Sequence, residues 1–376
     1  MYNIVIHMER GENMLIYDEK AVLEGNLFNI SDTENDQILY FDIETTGFAP
    51  ASTILYLIGC VYMAADGYHI RQWFADTADS EAGIITSFLE FVKKFRILVH
   101  YNGTGFDIPY IIKKCDIYGI ECDLSGIESL DIYKKINHMK TLLKLENLKQ
   151  KSVENFLGIG RTDKYTGGEL ISIYHNYLKA PNDEMKRLLL LHNHDDITGM
   201  VKILPILNYA GITSEQYNLV SIELQETVSI TGAPKTEVVI ELALDKFLPK
   251  RFSIGNKHYY LTACANTARL SIAAHTDELK YFYPNYKDYY YLPGEDRSIH
   301  KSVAFYVDKN FRTKAKAANC YSKKTGIFLP QYEELFNPYF KIDYYDKITY
   351  FEFTDDFKES EESILRYCNH IIRTLS

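Results

Sequence analysis

The sequence predicts an α/β domain, a mixed sheet with helices on both faces, followed by a mainly β C-terminal domain that closes on a helix. Three observations carry this. Strand and helix patterns succeed one another in the order β-β-β-α-β-α and then helices, the order of a sheet covered by helical layers. Near Asn208-Tyr209-Ala210-Gly211 the pattern changes, and extended alternating runs dominate beyond it. The length of 376 residues, with 46% hydrophobic and 24% charged side chains, suits two or three packed domains and excludes wholesale disorder. The expected divisions are an N-terminal extension over 1–36, the α/β domain over 37–210, and a β-rich accessory domain over 216–376.

The first clear strand is Ile38 to Ile43, ended by Thr45-Thr46-Gly47. A second, from about Thr53 to Met63, turns at Asp66-Gly67 into a third, Tyr68 to Phe74, so the three form an antiparallel meander. Asp79 is placed to cap a helix with Ile84, Ile85, Phe88, Leu89 and Val92 on one stripe. Ile97 to Tyr101 is a short apolar strand, and Ile108 to Tyr118 a helix with Pro109 in its first turn and Gly119 beyond its end. A strand near Leu130 to Tyr133 precedes further helices, the last from about Asn182 to Leu207. In the C-terminal part Glu237 to Leu242, His258 to Thr262, Ser302 to Asp308 and Ile348 to Phe353 are expected strands, before a helix from about Glu359 to Ile372.

Composition narrows the class. No apolar stretch approaches the roughly 18 residues that span a bilayer, and His7, Glu9 and Arg10 come too early for a secretory signal, so a cytoplasmic location without membrane attachment is expected. Six scattered cysteines without a CxxC point to reduced thiols rather than zinc or a disulfide framework. The net charge of −10 opposes non-specific adhesion to nucleic acid, though it leaves room for local basic patches. Two runs are locally basic: Lys134 to Lys151, and the acid-free Lys309 to Lys324 with Phe311 and Tyr321 interleaved.

Three acidic constellations stand out. Asp42-Ile43-Glu44 ends the first strand, and residues two apart on a strand face one side, so the two anions repel unless a cation or proton intervenes. Asp107 follows a strand and the glycine-bearing loop Asn102-Gly103-Thr104-Gly105, where it could equally serve as a plain helix cap. In His192-Asn193-His194-Asp195-Asp196, His192 and Asp196 share the i, i+4 stripe with Leu188 and Met200. Taken together, Asp42, Glu44, Asp107 and Asp196 form an all-oxygen set suited to Mg²⁺ or Mn²⁺, with Asp195 the alternative fourth ligand. Such a cluster holds two ions roughly 3.5–4 Å apart for in-line attack on a phosphodiester. Thr45 and Asn102, in the adjoining turn and loop, are candidates for substrate contact.

The segments DIETTG, HYNGTGFDIPYI and HNHDD resemble the three exonuclease motifs of the DEDD superfamily of 3′–5′ exonucleases, on a ribonuclease H-like fold. The run containing Glu154, Leu157, Gly158, Arg161, Asp163 and Gly167 is similar to the YprB-like subgroup, and the likeness covers about residues 37 to 207. The resemblance implies a nuclease acting on the 3′ end of DNA or RNA through two ions, with Asp42, Glu44, Asp107 and Asp196 as ligands and His192 as general base. The chain departs from the usual Tyr-x3-Asp and His-x4-Asp patterns by pairing a histidine with the x3 spacing. Two other readings use the same fold: a catalytically weak nucleic-acid-binding protein, and an endonuclease of the ribonuclease H kind.

Overall fold

The computed structural model describes residues 14–23, 34–228, 232 and 234–376. The chain divides into two compact units, with the change between Ala210 and Gly211 inside a short helix (α7, Ala210–Thr213), and Thr141–Leu143 grouped with the second unit.

The first unit is built on six strands: β1 (Met14–Lys20), β2 (Ile38–Thr45), β3 (Leu55–Ala64), β4 (Gly67–Ala75), β5 (Ile97–His100) and β6 (Glu128–Asp131). Their order is β1-β4-β3-β2-β5-β6. The β2-β3-β4 meander is antiparallel, whereas β5 and β6 run parallel to β2, so the sheet is mixed. An edge strand comes from residues that the sequence pattern assigns to the N-terminal extension: Met14–Lys20 pair with His69–Ala75 of β4, with Met14 opposite Ala75 and Lys20 opposite His69. The helices are α1 (Glu81–Val92), α2 (Asp107–Tyr118), α3 (Ile132–Ile136), α4 (Gln150–Leu157), α5 (Gly167–Lys179) and α6 (Asp183–Ile203).

Strand alternation sends neighbouring residues to opposite faces. Phe41 stacks on Phe88 of α1, while the next residue, Asp42, accepts from Asn193 of α6. On β4, Trp73 packs on Phe88 and Phe91, while Phe74 meets Tyr174 and Tyr177 of α5. Helices therefore cover both faces. A buried ion pair ties one of these layers together. Lys114 of α2 reaches Glu81 at the start of α1 at 2.8 Å, and Glu81 also accepts the Leu55 amide opening β3 at 2.6 Å.

Local chemistry moved several boundaries. The cap of α1 is Ser80, not Asp79, because a 3-10 turn over Ala78–Ser80 carries the chain into the helix one residue later. The helix before the division ends as α-helix at Ile203 and tightens to a 3-10 turn over Leu204–Tyr209, where Pro205 lacks an amide hydrogen. None of the helices among the described residues is long and apolar enough to cross a membrane. Cys60, Cys115, Cys320 and Cys368 are buried and none of the six cysteines is bridged.

The second unit is mainly β. A long ribbon of β7 (Tyr217–Val228), β8 (Pro234–Gly255) and β9 (Tyr259–Ala273) is antiparallel throughout. Smaller sheets follow: β10 (Glu278–Phe282) with β14 (Tyr321–Thr325); β11 (Tyr289–Leu292) with β12 (Arg297–His300) and β13 (Thr313–Lys314); and β15 (Phe328–Gln331), β17 (Thr349–Glu352) and β16 (Tyr339–Phe340). Leu279, Phe328, Phe340 and Tyr350 form a small core. After α9 (Asp355–Glu359), the closing helix α10 (Glu361–Leu375) is tied to β15 through Tyr367, whose hydroxyl and that of Tyr259 both donate to the Pro330 carbonyl, at 2.6 and 2.7 Å. The expected strand Ser302 to Asp308 is instead a short helix, α8 (Lys301–Ala304), and a turn. His300 caps that helix, and Val303 and Phe305 stay exposed, so alternation there buries nothing that would favour a strand.

One close approach tests the sheet–helix packing. A β-carbon at Gly59 of β3 would lie 1.8 Å from the Asn193 side-chain oxygen, whereas one at Gly126 meets open space. Gly59→Ala is expected to destabilise the protein by about 1–3 kcal/mol through overpacking, with Gly126→Ala near neutral. Urea unfolding of the two variants checks this.

Candidate metal centre and catalytic site

The site forms where β2 outruns its parallel neighbour. β5 pairs only with Ile38–Tyr40 of β2, so farther along β2 the Ile43 amide is free of the ladder and donates to Asp107 Oδ1 at 3.3 Å. Asp107 is buried as the first residue of α2, whose cap position is Phe106, and its carboxylate accepts from the strand as well as from its own amide. Asp42 and Glu44 lie on the α6 face of β2. Between Glu44 and Thr45 the register with β3 shifts, because Glu44 stands opposite Leu57 and Thr45 opposite Leu55.

Helix α6 brings the remaining groups. Asn193 crosses over Gly59, accepts from Gln72 at 2.9 Å and donates to Asp42 Oδ2 at 3.2 Å. One turn of helix links His192 and Asp196, and His192 Nε2 sits 3.3 Å from Asp196 Oδ2 and 3.8 Å from Glu44 Oε1. Donor atoms of Glu44, His192 and Asp196 all lie within 4.8 Å of one another, a spacing that can hold a metal ion. The other imidazole nitrogen, Nδ1, contacts Asp163 Oδ2 at 2.6 Å. With Nδ1–H donating to Asp163, the Nε2 lone pair faces the cluster.

The electrostatics follow from crowding. Burial first, then the charges of Asp107, Glu44 and Asp196, push the Asp42 carboxyl well above its ordinary range. Burial and the charges of Asp196, Asp107 and Asp163 do the same to Glu44. Burial drives Asp107 from 3.8 to about 7. The nearby positive charge is Arg161, which pairs with Asp196 Oδ1 and with both oxygens of buried Glu154. Gly199 makes room for that pair, since a β-carbon there would lie 2.4 Å from Glu154 Oε1. An oxygen-rich, partly solvent-open set that resists ionisation for want of positive charge fits one or more hard divalent cations.

The other singled-out residues have defined places. Asp195 turns away from the cluster and accepts the Thr162 and Asp163 amides at 2.7 Å each, which together with His194 hold its carboxyl below its ordinary range despite burial. It braces the loop that carries Arg161 and Asp163. Thr45 donates to the Gly47 carbonyl at 2.9 Å. Asn102 is exposed at φ 63°, and its amide and that of Thr104 bind Asp131, at 2.9 and 3.3 Å. Gly103 is required because a β-carbon would meet the buried His100 ring at 2.6 Å. That ring, held by burial at a pKa of about 4, accepts the Gly103 amide at 3.0 Å.

Sequence reasoning left Asn193, Gln72 and Gly59 without roles, and gave Glu154, Arg161 and Asp163 none beyond family likeness. Asn193 sits inside the HNHDD motif, but its partner Gly59 is legible only once β3 is laid beside β2.

Residues 39–208 match the RNase_H superfamily. The uncharacterized protein YprB of Bacillus subtilis (strain 168) is 24% identical over 172 residues, which are 45% of this chain and 41% of YprB. Among solved structures, the family B DNA polymerase of Pyrobaculum calidifontis is similar at a TM-score of 0.37 and 18% identity, over 47% of this chain and 26% of the polymerase. E. coli exonuclease I in complex with an oligonucleotide is similar at a TM-score of 0.30 and 11% identity, over 55% of this chain and 54% of that one. The chain thus spans well under two thirds of each.

The crowded carboxylates carry a pH signature. A carboxyl whose pKa rises from 3.8 unfolded to about 7 folded holds its proton longer in the native state. Stability of the metal-free protein is therefore expected to fall as pH rises through that window. Asp107→Asn should flatten the decline. Denaturant midpoints in EDTA across the window, for both proteins, check it.

Proposed function

We propose, on the premise that residues 39–208 form a domain of the RNase_H superfamily, that the protein is a divalent-metal-dependent nuclease that removes nucleotides from the 3′ end of DNA or RNA. What supports the reading is the group of Glu44, His192 and Asp196, whose donor atoms lie within 4.8 Å of one another, with Asp42 and Asp107 on the adjoining strand end and helix start and the histidine contacted by a buried aspartate. A structural cluster has no reason to hold carboxylates in mutual repulsion, and a pure strand-binding site gains nothing from turning anions toward phosphates.

In this reading Asp42, Glu44, Asp107 and Asp196 hold Mg²⁺ or Mn²⁺, in a two-ion arrangement. When bound, the ions supply the positive charge that lets a phosphodiester approach the carboxylates and that stabilises the attacking and leaving oxygens. The chain's own groups do the rest. His192 takes a proton from the attacking water at Nε2, and Asp163, on Nδ1, orients the ring and stabilises its charged form. Asn193 fixes Asp42, and Arg161 fixes Asp196 through Glu154. Thr45 and the exposed Asn102 are placed to contact the strand end.

Two outcomes test this. Asp42→Asn should abolish cleavage of an end-labelled oligonucleotide in Mn²⁺ while the wild type releases mononucleotides from the 3′ end. Internal fragments would instead indicate an endonuclease, and an inactive wild type a binding protein.

His192→Ala should slow cleavage by about 10²–10⁴ with metal affinity nearly intact. Asp163→Asn should slow cleavage by a smaller factor with metal affinity intact, because the imidazole loses the partner that orients it. A loss of thermal stability that matches the loss of rate would mark Asp163 as merely structural.

A further inference from the structure

The acid-free run Lys309 to Lys324 resolves into two unlike halves. Its C-terminal half is spent internally. Lys323 pairs with Asp296 and Glu278, at 2.6 and 3.0 Å, Lys324 pairs with Glu352 at 2.5 Å, and Tyr321 is buried with its hydroxyl on Asp296. Tyr259, which follows the basic pair Lys250-Arg251 along the long ribbon, is also buried. Neither tyrosine is open to a ligand.

The N-terminal half is different. Between α8 and β13 the chain makes an excursion whose rings face solvent: Phe305 is 77% exposed, Tyr306 87% and Phe311 70%. The excursion is built rather than loose. The Val307 and Phe311 amides bond to Ala304 and Asp308 at 3.1 Å each. Arg312 closes the base, donating to the Ala304 carbonyl and lying 5.0 Å over the Tyr290 ring. Large rings on a hydrogen-bonded turn cannot retreat into the unit, so their exposure costs hydration unless something covers them.

Charge tells what covers them. Lys309, Lys314 and Lys316 are exposed and make no ion pair among the described residues. Of the acids before the excursion, Asp288 is ion-paired to Lys301 at 2.6 Å and Glu295 to Arg297 at 2.5 Å; the one acid within it, Asp308, keeps its charge and accepts the Asn310 amide at 2.8 Å. Three open cations beside three open rings match a flexible polyanion whose units carry both a phosphate and a flat apolar face. A protein partner would need acidic and apolar groups in one fixed arrangement, whereas a single strand supplies them at every nucleotide. We infer that residues 305–316 form a single-stranded nucleic-acid contact, with Phe305, Tyr306 and Phe311 stacking on bases and Lys309, Lys314 and Lys316 on phosphates. It rests on the nuclease reading only for its purpose, that of holding the strand during digestion.

The test uses the full-length protein and a fluorescent dT 20-mer, in EDTA so that cleavage is silent, at several salt concentrations. Replacing Lys309, Lys314 and Lys316 by Gln should make the slope of log affinity against log salt shallower by about 2, at roughly 0.7 per single-strand phosphate. Replacing Phe305, Tyr306 and Phe311 by Ala should weaken binding about tenfold or more and leave the slope unchanged. Unchanged affinity and slope in both variants would overturn the assignment. So would a ring variant that binds normally but turns a wild-type dimer into a monomer in sedimentation, since the rings would then face a second copy. Asp42→Asn, assayed alongside for cleavage in Mn²⁺, separates the two readings. If it cleaves like wild type, the nuclease reading fails while the binding result stands.

Discussion

Too much negative charge in too little space governs the first unit. Asp42, Glu44, Asp107 and Asp196 repel one another in a partly desolvated pocket, and Arg161 answers only Asp196 among them directly. Left to itself such a cluster would swell or protonate. It persists because neutral donors hold two of the carboxylates from behind, the Ile43 amide on Asp107 and Asn193 on Asp42, while Arg161 holds Asp196. These donors fix position without cancelling charge, which keeps the site hungry for cations.

Much of the surrounding architecture serves that positioning. The short β5 frees the Ile43 amide, Gly59 lets α6 come close enough for Asn193 to reach across the sheet, and Gly199 admits the Glu154–Arg161 pair. Asp195 braces the loop bearing Arg161 and Asp163 through two amides. Altering any one of these is expected to leave the carboxylates present but misplaced. A misplacement on the order of 1 Å is enough to cost such a site about a hundredfold in rate.

The mixed sheet and the carboxylates were legible because strand alternation and helical spacing are local. Asp42 and Glu44 two apart on a strand, and His192 and Asp196 four apart on a helix, declare their shared faces without any tertiary knowledge. What stayed hidden depends on distant partners. The edge strand Met14–Lys20 has little alternation of its own and is defined by β4. Gly59 reads as an ordinary glycine until Asn193 is placed over it. Asp163 gains its role from a contact across 29 residues. The Ser302 to Asp308 stretch shows the opposite failure, where alternation promised a strand but no neighbouring surface exists to bury its rings. In the basic run, sequence shows the lysines but not the carboxylates that hold Lys323 and Lys324.

Whether the acid cluster is a metal centre is open to direct sight. Crystals soaked with Mn²⁺ and a nucleoside monophosphate, measured for anomalous scattering, would place the ions independently of any assay. Anomalous peaks within bonding distance of Asp42, Glu44, Asp107 and Asp196, with the phosphate against them, are the predicted result. Crystals in which Mn²⁺ saturates other surfaces while this pocket stays dark, and Arg161 keeps Asp196, would contradict it.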